Sequence, residues 1–120
     1  MGIDSVAGEQ YCYLTTVGRR TGALHTVEIW FGVEAGGKTL YILSSGGRRS
    51  DWVRNMEAMP EVEVKIGEGK FKGRGRIVDD KEEERLARRL VVAKYYGRSE
   101  VASSGWEAEA LPVAIDLVKR

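Results

Sequence analysis

The sequence holds one cysteine, Cys12, and one histidine, His25. A lone cysteine excludes an internal disulfide framework and a cysteine-rich zinc site. A lone histidine excludes any metal site that needs two imidazoles. Proline is scarce, with two in 120 residues. No apolar run approaches the roughly 20 residues that span a bilayer. The first residues, Met1-Gly2-Ile3-Asp4-Ser5, lack a basic stretch followed by an apolar one. No signal peptide is therefore expected, and the expected compartment is the cytoplasm. Net charge is nearly absent too: 19 Lys+Arg against 18 Asp+Glu leave +1. That balance does not point to nucleic acid as a partner. Disorder requires low hydrophobicity and high net charge, whereas 42% of these residues are hydrophobic. A chain of 120 residues suffices for one domain, over 1–120, with its own core.

The charge is uneven along the chain. From Lys65 to Arg98 eleven Lys+Arg face six Asp+Glu, and from Arg19 to Arg54 six face three. Both segments suit an anionic small molecule, or simply a mixed solvated surface. Glycines punctuate short runs of β-forming residues. Strands are expected over Tyr11–Val17, Thr26–Val33, Thr39–Ser44, Glu61–Ile66, Lys70–Val78 and Leu111–Val118. Asp80 with Glu83 forms a helix-capping pattern, and Gly97 falls where a left-handed terminator is wanted. A shorter helix is expected from Ser50, with Trp52, Met56 and Met59 on one face and Pro60 as its stop. The expected order is β-β-β-α-β-β-α-β. Short links between successive strands imply an antiparallel sheet, hence a mainly β chain: a small barrel with flanking helices.

Three constellations can carry chemistry. The turn Gly18-Arg19-Arg20-Thr21-Gly22 places two guanidinium forks beside glycines that let backbone N–H groups approach an anion. The same residues suit a hairpin turn with solvated arginines. Ser44-Ser45-Gly46-Gly47-Arg48-Arg49 ends a strand just before a helix start, where free N–H groups favour anions. A plain turn and helix cap is the competing interpretation. In the strand from His25, the residues His25, Val27, Ile29 and Phe31 share one face, and Thr26, Glu28 and Trp30 the other. Trp30 suits an aromatic ligand, or the core. No nucleophile–base arrangement stands out, so any redox chemistry must belong to a cofactor.

Together, Leu14 to Gly22, His25 to Phe31, Leu40 to Gly47, Asp51-Trp52-Val53-Arg54-Asn55, Met59-Pro60-Glu61-Val62 and Leu111-Pro112-Val113-Ala114 resemble the deazaflavin-dependent nitroreductase family, also described as coenzyme F420-dependent quinone reductases. The resemblance implies an antiparallel Greek-key split β-barrel of the FMN-binding-like kind, and a homodimer. It implies F420, whose phosphate and polyglutamate tail is polyanionic. The residues it points to for the cofactor are Arg19, Arg20, Thr21, Gly22, His25, Thr26, Val27, Ser44, Ser45, Gly46, Gly47, Arg48, Arg49, Trp52 and Asn55. Glu28, Trp30, Tyr95 and Tyr96 are the candidates for the substrate pocket, and no metal is expected. Many relatives carry proline near position 28, where this chain has Glu28. The resulting expectation is an oxidoreductase passing a hydride from reduced F420 to a small quinone-like or nitroaromatic acceptor. The alternatives are the same barrel using FMN, or a non-catalytic module that binds a flavin or a lipid.

Overall fold

Antiparallel pairing alone builds the sheet. The computed structural model describes residues 2–118. Its strands are β1 (Cys12–Val17), β2 (Leu24–Ile29), β3 (Gly32–Val33), β4 (Thr39–Ser44), β5 (Glu61–Ile66), β6 (Gly69–Ile77) and β7 (Leu111–Leu117). They form one seven-stranded sheet in the order β2-β1-β5-β6-β7-β4-β3. The helices are α1 (Asp51–Ala58), α2 (Lys81–Tyr96) and α3 (Trp106–Glu109). Single 3-10 turns occupy Ile3–Val6 and Gly47–Arg49.

The expected strand over Thr26–Val33 needs correction, and with it the six-strand order. The chain from Leu24 to Val33 is nearly continuous, but it bends at Trp30–Phe31. Its first half pairs with β1, and its last two residues pair with β4. One bent segment thus supplies both edges of the sheet. The sheet curls until those edges meet at the bend, which makes a split barrel. Strong coiling of this kind needs a local break in the ladder. The helix α3 is also additional, so the order is β-β-β-β-α-β-β-α-α-β.

Alternation decides what fills the barrel. Cys12, Leu14 and Thr16 point inward from β1, and Val62, Val64 and Ile66 from β5. They meet Leu40, Ile42, Val113, Ile115 and Phe31 in one cluster. Trp52, Val53 and Met56 of α1 join the same cluster. Glycine in β6 lets α1 approach: a Cβ on Gly75 would collide with the Met56 side chain. β4 and β7 read as apolar runs because both of their faces are covered. Their outer residues Tyr41, Leu43 and Ala114 lie under α2, against Ala87 and Val91.

The α2 cap forms as its sequence requires. Asp80 accepts from the Glu83 N–H at 2.9 Å, and Gly97 takes a left-handed φ of 65°. Its first turn is tied to the sheet by Arg76, which bonds Glu83 twice at 2.7 Å and Asp116 at 2.6 Å. Tyr41 donates to Glu83 and Thr39 to Asp116. The Arg76 guanidinium holds both carboxyl groups below their ordinary range. Among the described residues, no helix is long and apolar enough to cross a membrane.

Candidate functional site

The bend that splits β2 from β3 leaves backbone groups without ladder partners. Tyr95 of α2 supplies them. Its hydroxyl accepts from the Phe31 N–H at 3.0 Å and donates toward Gln10 O at 2.6 Å, with Phe31 O at 3.2 Å. Lys94 donates to Phe31 O at 3.1 Å. Burial pushes the Tyr95 hydroxyl up to about 12, so it keeps its proton and its role as donor. The bend is therefore fixed by side chains, since no strand is there to fix it.

Beside the bend lies a cleft of about 480 Å³ between β2 and the end of β4. Glu28, Trp30, Ser44, Ser45, Trp52 and Trp106 are among the residues that line it. Its aromatic wall is rigid. Trp30 stacks on Tyr95 with ring centres 4.1 Å apart and planes 2° apart. Tyr96 and Trp106 meet Trp30 edge-on at 6.0 and 5.9 Å. The Trp106 indole donates to the Tyr96 hydroxyl at 3.1 Å. Such pairs fix ring orientation as well as burying area. Glu28 stands at the cleft and accepts from the Tyr13 hydroxyl at 2.7 Å. That bond raises the Tyr13 hydroxyl above its usual value.

The opposite end is made of turns. The β1–β2 turn closes through Gly18 N–H to Ala23 O at 2.7 Å and Gly22 N–H to Gly18 O at 2.8 Å, and the Thr21 hydroxyl accepts from the Ala23 N–H. Gly22 adopts φ 77°, which a side chain would strain. The turn docks on α1 through Asn55, which is 3% exposed. The Asn55 carbonyl accepts from the Arg19 N–H at 3.1 Å and from its guanidinium at 2.8 Å. Its amide donates to Thr16. Arg19 also reaches Asp51 at 3.3 Å. Ser44, 2% exposed, bonds Gly47 O and the Ser50 hydroxyl and holds the second loop against the start of α1.

The structure thus brings Glu28, Trp30, Ser44, Ser45, Gly46 and Trp52 to one cleft. Arg19, Asn55, Arg48 and Arg49 lie around α1, which borders it. Tyr95 and Tyr96 stand behind Trp30 and support it. Thr26 lies elsewhere, on the outer face of the sheet, where its hydroxyl meets that of Thr15 at 2.7 Å. Val27 packs on the core, and His25 fits against Gly18. Trp106, Tyr11 and Ser50 line the cleft without having been expected there. The available signal for Trp106 was a lone indole after Ser103-Ser104-Gly105, where Gly105 turns the chain at φ 87°. A larger hollow of about 520 Å³ lies on the outer sheet face among Tyr13, Thr15, Lys65 and Lys70. Tyr13 and Phe71 line it among charged strand side chains, without the stacked and edge-on rings of the bend, so the cleft at the bend is the better site.

The charge around α1 fits a polyanion. Arg48 pairs with Glu57, and Arg19 with Asp51. Arg20 and Arg49 are exposed and pair with no carboxylate among the described residues. A Cβ added at Gly22 or Gly47 would meet open space, so both turns leave room for a ligand. The donor set is guanidinium forks and free turn N–H groups, which suits phosphate and carboxylate together.

Residues 3–117 match the sequence model of a family described as F420H(2)-dependent quinone reductase. No curated protein matches the chain. The fold resembles that of a solved F420 reductase, with TM-score 0.66 and 19% identity, covering 99% of this chain and 95% of that one. A solved F420-H2 dependent reductase (FDR-A) gives TM-score 0.66 and 20% identity, covering 88% and 93%. A Bacteroides thetaiotaomicron protein, provisionally described as a 5-nitroimidazole antibiotic resistance protein, gives TM-score 0.78 and 17% identity, covering 98% and 78%.

Proposed function

The chain belongs to the F420H(2)-dependent quinone reductase family, and on that premise we propose that it passes a hydride from reduced F420 to a quinone-like or nitroaromatic acceptor at the bend of the barrel. It is an F420-dependent oxidoreductase by family. The observation that carries the finer reading is the stacked aromatic wall of the cleft together with Arg20 and Arg49, exposed and paired with no carboxylate among the described residues, on the two turns beside α1.

F420, when bound, supplies the hydride that this chain's side chains cannot. The residues then have separate tasks. Arg20 and Arg49, with the Gly18–Gly22 and Gly46–Gly47 turns, hold the anionic tail. Arg19 is held in place by Asn55 and Asp51, which aims the turn at the cleft. Ser44, Ser45 and Trp52 border the ring pocket. Trp30 and Trp106 present apolar faces to a planar acceptor and exclude water from it. Holding donor and acceptor face to face is the main rate effect expected of such a site. Glu28 accepts from the Tyr13 hydroxyl at the cleft and would orient the acceptor by taking a hydrogen bond from it, while the proton for the reduced acceptor comes from water.

The test is anaerobic oxidation of reduced F420 by a soluble quinone, followed by its absorbance, with FMN titrated in parallel. Saturable F420 binding with quinone-dependent turnover is the expected result. Tight FMN binding without F420 turnover would replace this reading with the FMN-using barrel. Binding without turnover by any acceptor would leave a binding module. A homodimer is the second proposal. It is carried by apolar side chains left on the outer surface of β1 and β2, where Leu24 is 69% exposed and Tyr13 41%. Light scattering at micromolar concentration should give twice the 13.3 kDa chain mass; a monomer rejects it.

A further inference from the structure

The short helix α3 presents Trp106 to the cleft at the bend and Ala108 to a second one. This second cleft, of about 380 Å³, lies between α2 and the segment 99–108. Arg85, Arg88 and Arg89 line it from α2, and Ser99, Val101 and Ala102 line the other side. We propose that it is an anion site for a phosphate-bearing small molecule, separate from the F420 cleft.

Part of the charge beside this cleft is already neutralised within the fold. Arg88 is 11% exposed, and its guanidinium is saturated. Its Nε and Nη2 donate to Glu84 at 3.2 and 3.1 Å. Its Nη1 donates to the carbonyls of Glu107 and Ala110, both at 2.9 Å. Arg88 therefore braces α2 to α3 and fixes the width of the cleft. Glu107 is taken as well. It accepts from Arg98 at 2.9 and 3.2 Å and from the Ala102 N–H at 3.2 Å. Arg98 holds its carboxyl below the ordinary range, so it stays ionised and paired.

Arg85 and Arg89 are left over. Both are exposed, and neither makes an ion pair or side-chain hydrogen bond among the described residues. They sit one turn apart on the same helix face, an arrangement of like charges that disfavours the helix when no anion is present. Glu82, three residues before Arg85, pairs with neither among the described residues. The Ser99 hydroxyl faces the same space and also lacks a bonded partner there. Two free guanidinium forks and a hydroxyl can surround a tetrahedral dianion from two sides, which a planar carboxylate would use less fully. Val101, Ala102 and Ala108 form an apolar wall for whatever the phosphate is attached to.

The ligand chemistry is the phosphate group, and its source is either free phosphate or a phosphomonoester. The experiment is calorimetric titration of the full chain, at constant ionic strength, with inorganic phosphate, glycerol 3-phosphate and acetate. The wild type should bind phosphate saturably and acetate far more weakly. R19Q/R20Q removes arginines of the other anion site and should keep the saturable phosphate binding that belongs to the cleft beside α3. In the R19Q/R20Q background, R85Q/R89Q should weaken phosphate binding about tenfold or more with a melting temperature that does not fall, since the two side chains make no ion pair or side-chain hydrogen bond to lose among the described residues. A higher affinity for glycerol 3-phosphate than for phosphate identifies an ester as the ligand, and equal affinity identifies the free ion. Absence of saturable binding in R19Q/R20Q, or equal binding by R19Q/R20Q and R19Q/R20Q/R85Q/R89Q, would each overturn the proposal. None of these outcomes depends on whether F420 binds or turns over.

Discussion

The aromatic end and the charged end of the site are built by opposite means. At the bend, Trp30, Tyr95, Tyr96 and Trp106 are locked to one another by stacking and by hydroxyl and indole hydrogen bonds. Around α1, Arg20 and Arg49 are exposed, and a Cβ at Gly22 or Gly47 would meet open space. The first end gains its shape when the chain folds. The second is completed only by a ligand. Stability and ligand affinity should therefore respond to different substitutions, and that separation can be broken experimentally.

The largest effect is expected at the aromatic end. Trp30→Ala removes the stack on Tyr95 and two edge contacts. Truncating a buried Trp costs about 3–5 kcal/mol, and the half-exposed Trp30 should fall at the lower end. Urea unfolding measures it. A loss under about 1 kcal/mol would mean that the wall is not load-sharing and exists only for the ligand.

At the other end the expectation reverses. R20A/R49A should weaken F420 binding by about 1–3 kcal/mol, the scale of lost charge-assisted contacts, and leave the melting temperature unchanged. Added salt should narrow the gap between variant and wild type, because screening acts on the exposed arginines that the variant lacks. Equal affinity for F420 at matched salt would remove these arginines from the site.

The same contrast explains what could be read in the sequence. The charged end was legible because it is local: Gly18-Arg19-Arg20-Thr21-Gly22 and Gly46-Gly47-Arg48-Arg49 each announce a turn with free donors. The capping of α2 by Asp80 and Gly97 was legible for the same reason. The aromatic end was hidden because it is non-local. Trp30 meets Tyr95 and Trp106 only after β2 and β3 pass to opposite edges of the sheet. Within Thr26–Val33 Gly32 is a weak mark of the bend, and the β-forming residues around it suit an unbroken strand equally well. The partners that permit the bend, Lys94 and Tyr95, lie more than 60 residues further on. Thr26 and Val27 were expected near the cofactor by their place after the turn. The register with β1 instead sends Thr26 to the outer face and Val27 to the core.

A finer cut through the aromatic end is Tyr95→Phe. The ring remains to stack on Trp30, while the hydroxyl that joins Gln10 to Phe31 is lost. The Phe31 N–H then loses its partner at the bend. A cost of about 1–2 kcal/mol is expected from one buried donor left unpaired. Faster amide exchange at Phe31 than in β1 would locate the loss at the bend. Uniformly faster exchange over the sheet would show instead that the hydroxyl serves the whole barrel.

The smallest effect concerns Lys94 and is read from pH. Its ammonium lies 3.4 Å above the Phe31 ring and donates to Phe31 O. Burial lowers its pKa from 10.5 to about 8, with Cys12 and Glu9 pulling weakly the other way. The unfolded chain therefore holds more protons than the folded one between about pH 8 and 10.5. Stability contributed by this group must rise with pH across that window. Two neighbours oppose it. Burial pushes the Cys12 thiol up from 9.0 to about 12 and the Tyr95 hydroxyl from 10.0 to about 12, so each loses stability as pH rises above its unfolded value. Between pH 8 and 9 Lys94 acts largely alone among the three. Over that interval the wild type should gain at most about 1 kcal/mol relative to Lys94→Met, about 0.7 of the roughly 1.4 kcal/mol that a full proton per pH unit would give, less what solvent screening of the partly exposed ammonium removes. Parallel stability curves for the two proteins would show that the ammonium stays solvated and that the bend is held by Tyr95 alone.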